Sequence, residues 1–121
     1  MAAPTPVQIE SRLVELGRDL DSAFKELADT ERGYYSAKGE YEVAFAKAKL
    51  TIRSKFASSN SKITVAEVED SATIQVQDLL IALYTSEALV KTARANSSRV
   101  RTQIEIARSV SASVRASLDL L

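Results

Sequence analysis

Four arginines, Arg94, Arg101, Arg108 and Arg115, recur every seven residues, with Lys91 and Arg99 beside them. On a helix that spacing lines up one edge. Such an edge can track a phosphate backbone, or it can pair with acids on a neighbouring helix. No aromatic residue interleaves with these arginines to stack bases, and acids lie at the matching place earlier in the chain. The ladder therefore reads first as an interhelical seam, with nucleic-acid contact through Arg94, Arg101, Arg108 and Arg115 as the alternative. Lys47 to Lys62 is read the same way, as pairing and solvation before phosphate contact. Glu67, Glu69 and Asp70 are a carboxylate cluster, yet the chain has no His and offers no second acidic cluster at helical spacing, so a di-metal bundle is not expected. Tyr34, Tyr35, Tyr41 and Tyr84 carry hydroxyls, but their spacing is that of packing residues. With no Cys or His there is no thiol or imidazole nucleophile or base and no zinc or haem site of the usual kind, and Gly33 and Gly39 do not form a phosphate loop. No catalytic residue and no cofactor is expected, and the chain is read as non-enzymatic.

The elements that carry these residues are helices. Both prolines lie at positions 4 and 6, the three glycines at 17, 33 and 39, and neither type occurs from Glu40 to the end of the 121 residues. Thr5, Pro6 and Gln8 form a capping box with proline at the first helical position. From there an apolar heptad runs through Ile9, Leu13, Leu16, Leu20, Ala23, Leu27, Thr30, Tyr34, Ala37, Tyr41, Ala44 and Ala48, widened by Phe24, Phe45, Ile52 and Phe56. Ala57-Ser-Ser-Asn-Ser-Lys-Ile63 is a polar break, and Thr64-Val-Ala-Glu67 is a second capping box. A second seam then reads Val65, Ala72, Val76, Leu79, Leu83, Ser86, Val90, Ala93, Ser97, Val100, Ile104, Ala107, Ser111, Val114, Leu118 and Leu121. The expected fold is all-α: a long antiparallel, coiled-coil-like helical hairpin in a single domain. Its helices cover about 6–57 and 65–119 and its loop about 58–63. A three-helix bundle with a break near Asn96 is the alternative, and the polar–apolar alternation from Ser109 to Leu118 is discounted as a strand signal.

Charge supports that hairpin. Sixteen bases and sixteen acids give a net charge of zero, but not evenly. Residues 1–45 hold nine acids and five bases, 46–62 five bases and no acid, 63–90 five acids and no base, and 91–121 six bases and two acids. Folding about residue 60 lays each block against one of opposite sign. A neutral balance also argues against an obligate polyanion binder.

Ile74, Leu80, Ile81 and Tyr84 lie off the seam that Val76, Leu79 and Leu83 already define. A helix apolar on nearly every face needs covering on nearly every face. These four residues are therefore the expected interface, and the chain a homo-oligomer, in the first place a dimer forming a four-helix bundle. The longest apolar stretch, Leu79 to Tyr84, is too short to span a bilayer, and the first residues lack a secretory signal, so no membrane partner and a cytoplasmic location are expected.

Arg101-Thr-Gln-Ile-Glu-Ile-Ala-Arg-Ser109, with the Leu13-x-x-Leu16-Gly17-x-x-Leu20 opening and the Tyr41-x-x-Ala44 region, resembles small helical proteins encoded by phages of actinobacteria, often near genes for recombination or DNA metabolism. The resemblance implies a phage origin, the cytoplasm of a bacterial host, and an accessory role in DNA recombination; it implies no active site. Three functions follow as expectations: an interaction protein that binds a protein partner, a DNA-recombination accessory factor using the arginine ladder, or an anti-defence inhibitor or ligand sponge.

Overall fold

The computed structural model describes residues 4–120, and all regular structure among them is helical. Helix α1 spans Pro6–Ser58, α2 Val65–Gln75 and α3 Gln77–Asp119. The ends of α1 follow from its sequence. The Thr5 N–H donates to Gln8 Oε1 at 2.9 Å and the Gln8 N–H donates to Thr5 Oγ1 at 3.2 Å, a reciprocal capping box that satisfies two of the amides a helix start leaves unpaired. At the other end Asn60 adopts φ 57°, the left-handed conformation that Asn tolerates better than most residues. The Ser61 N–H then reaches Phe56 O at 3.0 Å and the Asn60 N–H reaches Ala57 O at 3.2 Å, the paired bonds of a Schellman stop. Thr64 starts α2, accepting from the Glu67 N–H at 3.1 Å.

The helix expected over 65–119 is interrupted, though not at Asn96. Val76 takes φ −111° and ψ 21°, which closes α2; its carbonyl accepts the Leu80 N–H at 3.1 Å, so α3 begins at once. Thr73, Ile74 and Val76 put three β-branched residues into four positions, where χ1 crowding weakens the helix. The Thr73 hydroxyl also donates to Glu69 O at 2.8 Å, a back-bond that bends helices, and Asp78 favours the new N-terminus. The segments Asn96 to Ser98 and Ser109 to Leu118 are both helical within α3.

The described chain forms two compact units. In the first, built from the chain up to Asp29 and from Lys91 on, Ile9, Leu16 and Ala23 of α1 are buried, as are Ala93, Ser97 and Val100 of α3. Arg101 lies 4.9 Å over the Phe24 ring, and further along Ile9 and Leu16 share a groove with Ile106 and Val110, so the two segments pair antiparallel. Small residues at Ala23, Ala93 and Ser97 allow close helix approach, and no buried side-chain polar atom among the described residues lacks a partner. In the second unit, Thr30–Val90, Ala48 and Ile52 of α1 form one buried cluster with Val68 and Ala72 of α2, closed by Phe45, Phe56, Ile63 and Val76. Ile52 and Val68, like Ala48 and Ala72, are equidistant from residue 60, the register that the charge blocks imply. One seam position is corrected. Val65, in the first turn of α2, is 66% exposed, and Val68, which the heptad passed over, is buried instead. Phe56 and Ile63 close the cluster at the height where Val65 was expected. Leu118 is exposed, and Leu121 lies outside the described residues.

Candidate interaction surfaces

The second unit presents an apolar outer face. Ile74 is 69%, Ile81 61% and Tyr84 62% exposed, while Leu80 is partly buried at the margin. Val76 packs against the core cluster, Leu79, Leu80 and Leu83 are partly buried, and Ile74, Ile81 and Tyr84 are exposed. Three of the four expected interface residues are thus exposed together on α2 and α3.

A second stripe escaped the sequence reading. Tyr35, Val43 and Leu50 of α1 are exposed, and Gly39 and Ala46 lie exposed between them. Tyr35, Gly39 and Val43 follow at steps of four, as do Ala46 and Leu50, so they share the side of α1 that faces away from its core seam. That spacing was readable, but the phenylalanines that widen the seam drew the pattern toward the buried side. Beside the stripe is a recess of about 520 Å³ lined by Gly39, Glu40, Val43, Ala44, Lys47 and Leu79.

The arginine ladder is solvent-exposed at all four positions. Its expected pairing with acids of the first helix is not the arrangement at Arg101, which packs on the Phe24 ring. Among the described residues no ion pair joins Arg108 or Arg115 to a carboxylate, whereas Arg94 is engaged. Arg99 donates to Asn96 Oδ1 at 2.9 Å. In the 46–62 block, Lys49 lies 4.7 Å over the Phe45 ring of its own helix.

The tyrosines divide in the same way. Tyr41 stacks on Phe45 at 5.6 Å and Tyr34 meets Tyr35 edge-on at 5.3 Å, so the seam tyrosines pack, whereas Tyr35 and Tyr84 face outward. The described residues hold no group of three acids or other ligating side chains close enough to grip a metal ion, and no helix among them is long and apolar enough to cross a membrane. In the first unit an open groove of about 310 Å³ runs between the start of α1 and α3, apolar through Ile9, Leu16, Ile106 and Val110 and edged by Arg12 and Gln103.

Compared with known protein families, with curated proteins and with solved structures, the chain matches none of them.

Proposed function

We propose that this chain is a non-enzymatic, phage-type helical interaction protein that acts in a host cytoplasm by binding protein. Its first partner is a second copy of itself, held through Ile74, Leu80, Ile81 and Tyr84. The observation that carries this reading is the exposure of Ile74, Ile81 and Tyr84 within one short stretch of α2 and α3, while Val68, Ala72 and Val76 are already taken up by the core cluster. Large apolar side chains grouped on one surface mark a binding site more often than they decorate a solvated one. Multi-angle light scattering tests it. A dimer at micromolar concentration is the expected result, Ile81→Asp is expected to give a folded monomer, and a wild-type monomer up to 100 μM would remove the reading.

A second reading is favoured by one observation. Arg101, Arg108 and Arg115 are exposed without a carboxylate partner among the described residues, and the Phe24 ring beside Arg101 is itself partly exposed. A cation ladder with one ring is a modest phosphate-and-base surface, suited to an accessory role on DNA. A mobility shift of labelled single-stranded DNA that fades with salt is its expected signature, and absence of binding at low salt rules it out.

A further inference from the structure

The outer side of α1 in the second unit carries an apolar stripe with a cation on each flank. Residues 46–62 hold Lys47, Lys49, Arg53, Lys55 and Lys62 and no acid. Because α1 is one uninterrupted helix, spacing places these residues around its axis. Ala48 and Ile52 are buried, and Leu50, two residues from each, stands on the opposite side of the helix. Val43 and Ala57, one heptad before and after Leu50, and Ala46, one turn before it, share that side. All four are exposed, Leu50 at 62% and Val43 at 54%. Lys47 borders the stripe on one flank, Lys49 on the other, and Arg53 continues it towards the Asn60 turn. The nearest acids on α1, Glu40 and Glu42, precede the stripe.

The chain does not pair these cations itself. Among the described residues no ion pair joins Lys47, Arg53, Lys55 or Lys62 to a carboxylate, and Lys49 lies over the Phe45 ring. Apolar residues at heptad spacing between rows of like charge are one side of a helix–helix contact. The complementary side has its own apolar row with acids beside it. A phosphate backbone fits less well, since it leaves Val43 and Leu50 in water and finds no exposed aromatic ring between Val43 and Ala57 on which a base could stack. The same face of a second copy fits less well again, because it sets cation against cation. Beside the stripe, the recess lined by Gly39, Val43, Lys47 and Leu79 gives an anchoring side chain room to enter.

We propose that this face of α1 docks an acidic amphipathic helix of another protein, with its apolar row on Val43, Ala46 and Leu50 and its carboxylates beside Lys47, Lys49 and Arg53. The stripe from Val43 to Ala57 is about 21 Å long, or about four helical turns, enough for such a helix to lie along it. The site is separate from the residues proposed for self-association, which belong to α2 and α3, and does not depend on them.

Fluorescence anisotropy with two synthetic helix-forming peptides of about 18 residues tests the proposal. Both carry Leu and Ala at the a and d positions of a heptad; one has Glu at e and g, the other Lys. The full-length chain at low salt is expected to bind the acidic peptide at least about tenfold more tightly than the basic one. Changing both Lys47→Glu and Arg53→Glu alters exposed residues only, so the fold survives, as circular dichroism checks, and the preference is expected to reverse. Leu50→Asp is expected to weaken binding of the acidic peptide about tenfold, whereas Ile81→Asp leaves it unchanged. Equal affinity for the two peptides, or no saturable binding of the acidic one by about 100 μM, overturns the proposal. Loss of self-association in Leu50→Asp overturns it too, because a second copy then occupies this face. A shift of labelled single-stranded DNA that the doubly substituted chain loses, with no such response to the acidic peptide, assigns the face to phosphate and overturns it as well.

Discussion

A glycine inside a helix costs about 1 kcal/mol relative to alanine. Around Gly33 the structure supplies no compensation, since an added Cβ there meets nothing within 4 Å. Gly33→Ala is therefore expected to raise the unfolding free energy by about 0.5–1 kcal/mol, measured by urea denaturation. The reverse holds at Leu16, 1% exposed in the first unit. Leu16→Ala removes a fully buried side chain, and a loss of roughly 2–5 kcal/mol is expected in the same experiment, the spread depending on how far the neighbours relax. Residue identity was readable where burial follows the heptad, as at Ile9, Leu16 and Ala23. It was not readable at Val65 and Val68, three residues apart at the start of a helix, because spacing alone gives the seam no phase before Ala72.

At the scale of elements the ends were legible and the interior break was not. Thr5 and Thr64 announce helix starts through side chains that accept from backbone amides, as both do in the structure, and the polar 57–63 stretch announces the stop, which Asn60 makes at φ 57°. The Val76 interruption carries no Gly, Pro or Asn. It arises from accumulated β-branching and a hydroxyl back-bond, small effects that become visible only when summed. Thr64→Ala is expected to cost about 1 kcal/mol, because the Glu67 N–H then loses its acceptor. Asn60→Val is expected to cost about 1–2 kcal/mol, since a β-branched residue resists φ 57°. Thermal melts of both variants check these values.

For the molecule as a whole, the zero net charge is the sum of opposed blocks. Self-association through the apolar residues named above has its own signature: the thermal midpoint is expected to rise with protein concentration, because association stabilises the folded chain by mass action. A midpoint independent of concentration would count against it. The seam, and in the second unit the pairing about residue 60, were legible because the heptad persists over long stretches; in the first unit Phe24 meets Arg101, a few residues off that register. The outward stripe on α1 was missed because its members, Tyr35, Val43 and Leu50, are scattered among polar residues and gain meaning only once the buried side is known.

The pairing of positions equidistant from residue 60 also constrains how such a sequence can drift. Losing four residues from α1 between Ile52 and the turn would keep the buried face nearly in phase but slide Ala48 and Ile52 about one helical turn along α2, past Val68 and Ala72. A matching loss from α2 or α3 at the same height restores the alignment. Insertions and deletions in this chain should therefore survive in compensating pairs, one on each side of the Asn60 turn, whereas the turn itself, whose length sets which residues face each other, tolerates substitution at position 60 by Gly, which adopts φ 57° freely, better than any change of length.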